Sequence, residues 1–105
     1  MTLSELKAAL LTVTDKVHHF DATGETGSYI VWAEDGAGET FWADNKMKCQ
    51  VITGTIDFFT KTEYDPTFGQ IQAALDNLGI CYRLNSTQRE EDTKYIHYEW
   101  IWEMV

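Results

Sequence analysis

The sequence predicts an α+β fold. One two-layer domain spans residues 1–105, with two helices on one face of a mostly antiparallel sheet, in the order α-β-β-β-α-β-β. Three stretches carry that expectation. Val51 to Thr60 alternates, with Ile52, Gly54, Ile56 and Phe58 on one face and Thr53, Thr55 and Asp57 on the other, which is the strand period. Asp65-Pro66 has the form of a helix start, an acidic acceptor for free amides followed by a residue that has no N–H to waste. Lys94 to Val105 alternates again, over the length of a long strand.

Taken in order, Thr2-Leu3-Ser4-Glu5 reads as a capping box. Leu3, Leu6, Leu10, Val13 and Val17 then recur at helical steps, with Leu11 widening the stripe, so an amphipathic helix of about four turns is expected to cover the sheet. His18-His19-Phe20-Asp21 follows in extended form, with one histidine expected buried and the other solvated. Ala22 to Ser28, small and polar, reads as a loop, and Tyr29 to Ala33 as a strand apolar on both faces and hence interior. Glu34 to Glu39 reads as a second, acidic loop, after which Thr40 to Asn45 resumes extended structure. Past the alternating strand, the helix from Pro66 places Phe68, Ile71, Ala74, Leu75 and Leu78 on one stripe and stops at Gly79. Ile80 to Leu84 is a strand with Ile80, Tyr82 and Leu84 inward, and Asn85 to Thr93 a solvated turn. In the last strand Ile96, Tyr98, Trp100, Trp102 and Met104 share one face, and Tyr95, His97, Glu99, Ile101 and Glu103 the other.

Composition narrows the classes of function. Apolar residues at 44% and aromatics at 13% supply ample surface to bury, which excludes a disordered chain. No run approaches the roughly 20 apolar residues of a membrane span, and the start has no signal-peptide form, so a cytosolic protein is expected. Cys49 and Cys81 are expected as free thiols within strands. Seventeen acids against eight Lys and Arg leave a net charge of −9, and from Val17 to Asn45 there is no Lys or Arg. Such a surface repels phosphate and lacks the cations that hold nucleic acid or that a stacking platform for bases needs. Plain solubility accounts for it; the sharper reading is a surface that DNA must pass without sticking.

Candidate chemistry is thin. The histidines His18 and His19 with Asp21 and Glu25 offer metal-ligand types, but neighbours on a strand point to opposite faces and do not share an ion. Gly36-Ala37-Gly38 has acids around it and no third glycine, which rules out a phosphate cradle. His18, His19, His97, Cys49 and Cys81 have no diagnostic spacing for an active site, and Cys81 reads as core filler. No catalytic residue, cofactor or metal is therefore expected. Aromatics in excess of a small core's needs point instead to interfaces, at Phe41, Trp42, Trp102 and Met104, with the last two expected exposed in an isolated monomer.

The chain resembles the tail terminator, or tail completion, proteins of siphophages and Gram-positive prophages over nearly its whole length. The resemblance is carried by Leu6-Lys7, His18-His19-Phe20, Tyr29-Ile30-Val31-Trp32 and Phe41-Trp42-Ala43-Asp44-Asn45-Lys46. It continues through Ile56-Asp57-Phe58-Phe59-Thr60-Lys61, Asp65-Pro66, Leu75-Asp76 and Gly79-Ile80-Cys81-Tyr82. Ser28 stands where proline is expected before Tyr29, and Phe59 where tyrosine is common. The resemblance implies a structural virion protein that closes into a hexameric ring, caps the tail tube, stops its polymerisation and gives the head a docking surface. Its partners would be copies of itself, the tube protein and the head–tail connector. It would assemble in the bacterial cytoplasm and end in the virion tail or neck, with DNA passing through the channel. The acidic residues Glu34, Asp35 and Glu39 would then face that channel or a neighbour. A tube-like or other neck protein is the nearest alternative, and a small ligand-binding domain or enzyme of the same fold class the more distant one.

Overall fold

A computed structural model describes the backbone of residues 1–43 and 46–105, and the side chains outside 37–50. The expected order of elements is present: α1 (Leu3–Leu11), β1 (Val17–His19), β2 (Tyr29–Ala43), β3 (Lys46–Thr60), α2 (Thr67–Leu78), β4 (Cys81–Arg89) and β5 (Ile96–Met104). The strands form one sheet in the order β1-β2-β3-β5-β4. Only the β1–β2 pair is parallel. The alternating strand β3 is thus the centre of the sheet, and both helices lie on the face that carries Ile56, Phe58, Trp100 and Trp102.

Local chemistry sets the helix ends. The Thr2 hydroxyl accepts from the Glu5 N–H at 3.2 Å, the first half of the expected box, and the Glu5 carboxylate accepts from the Thr2 hydroxyl in place of the Thr2 N–H. α1 is shorter than its apolar stripe, because Thr12 caps it and Val13 and Val17 pack from the following turn and from β1. Asp65 takes the Thr67 N–H at 2.9 Å on its side chain, Pro66 already has helical angles, and Gly79 closes α2 in the left-handed conformation with φ 82°. The buried Thr60 hydroxyl joins that cap to the sheet. It donates to Asp65 at 2.7 Å, accepts from the Thr62 N–H and meets the Ser28 hydroxyl at 2.9 Å.

The core consists of Leu6 and Leu10 from α1, Ile71 and Leu75 from α2, and the inner face of the sheet, with Trp100 and Trp102 as its largest fully buried side chains. Gly54 makes room for this. A Cβ there would collide with the Ala33 carbonyl and the Trp102 indole, which lies across the strand from it. Trp102 and Met104 are therefore core, at 0% and 3% exposure, and are not the exposed end of a stripe. β5 stays paired with β3 as far as Ile52↔Met104, so Trp102 and Met104 lie within the buried part of the inner face.

Two expected loops are strand. Glu34 to Glu39 runs inside β2, and the register shifts between Glu34 and Gly36 and between Ala37 and Thr40 absorb the glycines as bulges. Asn85 to Arg89 continues β4 past a shift between Leu84 and Ser86. Leu84 lies opposite Trp100 but is 41% exposed, being on β4 at the edge of the sheet. β2 and β3 stay paired from Tyr29↔Phe59 out to Ala43↔Lys46, whereas β5 leaves β3 at Ile52. The ribbon beyond that point is six residues of β3 long, about 20 Å, and gives the molecule extents of 53 × 26 × 22 Å.

Candidate functional site: the open face of the sheet

The face away from the helices is built in rows set by strand register. Tyr29, Phe59, His97 and Gln88 stand opposite one another across β2, β3, β5 and β4, and the next row is Val31, Asp57, Glu99 and Ser86. The first row is an aromatic ladder. Tyr29 stacks on Phe59 with ring centroids 4.9 Å apart, and Phe59 on His97 at 4.3 Å. Tyr95 closes on both Tyr29 and Phe59 edge-on, donates its hydroxyl to the Gly27 carbonyl at 3.0 Å and receives the Lys61 ammonium over its ring. Burial among these neighbours pushes the Tyr29 phenol up from its ordinary value.

The second row concentrates charge. Asp57 and Glu99 are directly opposite, and His97 reaches Asp57 across the diagonal with Nε2 2.6 Å from Oδ1. One ligand atom from each of Asp57, His97 and Glu99 lies within 4.8 Å of the other two. Asn85 Nδ2 donates to Glu99 Oε1 at 2.8 Å and orients that carboxylate. The Asp57 hydrogen bond raises the His97 pKa above its ordinary value, against the opposing pull of burial, with the Glu99 charge adding to the rise. A shallow depression of about 300 Å³ opens beside Asp57 and Phe59, lined also by Phe20, Asp21, Thr23 and Tyr29.

All three histidines are held by carboxylates. His18 pairs with Glu25 at 2.6 Å and His19 with Glu34 at 2.6 Å, and both side chains are about one-third exposed or more, so neither is the buried one of the pair. His19 also stacks between Phe20 and Trp32, at centroid distances of 4.1 and 4.0 Å. The His18 contact lowers the Glu25 pKa, and the Glu34 carboxylate is lowered by its own backbone N–H and then by His19. The two histidines do not share an ion-binding site, being on opposite faces of β1 with separate partners.

The remaining expected site residues are scattered. Glu34 is tied to His19 and Asp35 accepts from the Thr53 hydroxyl at 3.0 Å, so the two acids sit on a strand and not on a mobile turn. Cys81 is an exposed free thiol, not core filler, because Ile80 and Tyr82 take the inward positions around it. The side chains of Glu39, Phe41, Trp42 and Cys49 lie outside the described residues, as do Asp44 and Asn45. The cluster of Asp57, His97 and Glu99 was missed from sequence. Each residue is legible as outward-facing, but only the non-local pairing of β3 with β5 brings them together.

No family model matches the sequence, and no curated protein matches it significantly.

Proposed function

We propose that the chain is a structural subunit that assembles with copies of itself, as a tail terminator closing the end of a phage tail tube. The observation that carries this reading is the β2–β3 ribbon, which continues past the last β3–β5 rung at Ile52↔Met104. A two-stranded ribbon is only marginally stable alone in water, and each of its edges presents unpaired backbone donors and acceptors. A neighbouring subunit placed against it supplies what the parent sheet does not, and repetition of that contact closes a ring. The net charge of −9 suits a channel for DNA, because attraction to phosphate would slow its passage. The expected partners are further copies of the chain, the tube protein and the head–tail connector, met in the bacterial cytoplasm during assembly.

Electron microscopy of the purified chain mixed with tube protein tests this. Rings at tube ends, with tube length limited as the chain is added, support the terminator reading. Incorporation along the tube would place the chain among tube-like proteins instead. A chain that stays monomeric and leaves tube growth unchanged overturns the proposal. The depression beside Asp57 favours a second reading as a ligand-binding domain, which saturable stabilisation by a metabolite in a thermal-shift screen would bring forward.

A further inference from the structure

We propose that Asp57, His97 and Glu99 form a binding site for a divalent transition-metal ion of the zinc type, clamping β3 to β5 on the open face. The first ground is geometry. Three different ligand atoms lie within 4.8 Å of one another on adjacent strands. Donors around one such ion sit about 2.0–2.2 Å from it and so about 3–3.5 Å apart, so the separations within this group have to close by no more than about 1–2 Å for all three to hold one ion.

The second ground is charge. Asp57 and Glu99 face each other directly across β3 and β5, and like charges in that position destabilise a sheet. Among the described residues neither carboxylate pairs with a Lys or Arg; the only ion pair to either is the His97 contact with Asp57. A dication bound to both carboxylates and the imidazole balances the row completely.

The third ground is support from behind the ligands. Phe59 stacks on the His97 ring and fixes its plane, and Asn85 occupies one oxygen of Glu99 and leaves the other free to turn toward the ion. The His97 and Asp57 side chains keep 21% and 18% of their surface exposed, so water reaches the ligands. One imidazole with two carboxylates favours zinc or manganese over calcium or magnesium, which seek oxygen alone. The inference stands independently of how the chain assembles.

Calorimetric titration of the untagged, chelator-stripped full chain with zinc chloride, and with calcium chloride for comparison, tests it. We expect one zinc ion per chain, calcium bound at least tenfold more weakly, and a rise in melting temperature with zinc. His97→Gln should weaken zinc at least tenfold, and His18→Gln and His19→Gln should leave it unchanged. Glu99→Gln, at a position on the open face, serves as the second variant should His97→Gln lose its fold by circular dichroism, and it too should weaken zinc at least tenfold. Absence of saturable zinc binding, equal affinity for calcium, or loss of binding in His18→Gln or His19→Gln in place of these variants overturns the proposal.

Discussion

Thr60 and Gly54, both in β3, show how single positions hold this fold. The Thr60 hydroxyl is fully buried and serves Asp65, Thr62 and Ser28 together, so its loss leaves several polar groups without a partner. Thr60→Val should cost about 1–3 kcal/mol by urea unfolding. The same contact makes a pH prediction. Burial pushes the Asp65 carboxyl up, but hydrogen bonds from Thr60 and Thr67 outweigh it and leave the pKa below the ordinary Asp value. A group depressed in the folded state stabilises above its unfolded pKa, and that contribution is lost as pH falls through the folded value. Thermal unfolding from pH 6 to pH 2.5 should therefore show stability falling below about pH 4, with a shallower fall in Thr60→Val. Coincident acid limbs would show that Asp65 is not the group responsible. At Gly54 any side chain meets the Ala33 carbonyl and the Trp102 ring, one of them backbone that cannot step aside. Gly54→Ala should cost about 3 kcal/mol, read as a fall of the urea midpoint at unchanged slope.

At the scale of elements, β5 supplies the two largest side chains of the core. Its inner face places Trp100 and Trp102 fully inside the core, and Trp100 also donates its indole N–H to Gln72 of α2 at 3.1 Å. Trp102→Ser should consequently unfold or severely destabilise the domain, by about 3–5 kcal/mol, and not merely abolish assembly. Circular dichroism melting separates the two outcomes directly, since an assembly residue would leave the melting curve of the monomer in place. The outer face of the same strand supplies His97 and Glu99, so one alternating sequence provides the core on one side and the polar cluster on the other. That alternation was readable from the residues alone. The extent of β2 was not, because bulges carry strand pairing through an acidic, glycine-bearing segment that has the composition of a loop.

For the whole molecule, the division between sheet and ribbon is the feature that assembly would use. Replacing residues 38–51 with Asn-Gly joins Ala37 to Ile52, which are already paired, through a two-residue hairpin turn. The shortened chain should keep its circular dichroism spectrum and its melting temperature within a few degrees, since the core residues among those whose side chains are described all lie outside the excised segment. If the ribbon carries the subunit contacts, analytical ultracentrifugation should find this variant monomeric under conditions where the full chain forms rings. Rings formed by the shortened chain would move the contacts to the sheet edges or the open face.

The residues by themselves determined what depends on neighbours along the chain: the two capped helices, the alternating faces of β3 and β5, and the acidic balance of the surface. Those follow from hydrogen bonds and periodicities spanning a few positions. Only the tertiary structure decided that Trp102 and Met104 are covered, that β2 and β3 outrun their sheet, and that Asp57 meets His97 and Glu99. Each of these depends on which strand lies beside which and in what register, and pairing between segments some forty residues apart leaves no mark on either segment alone.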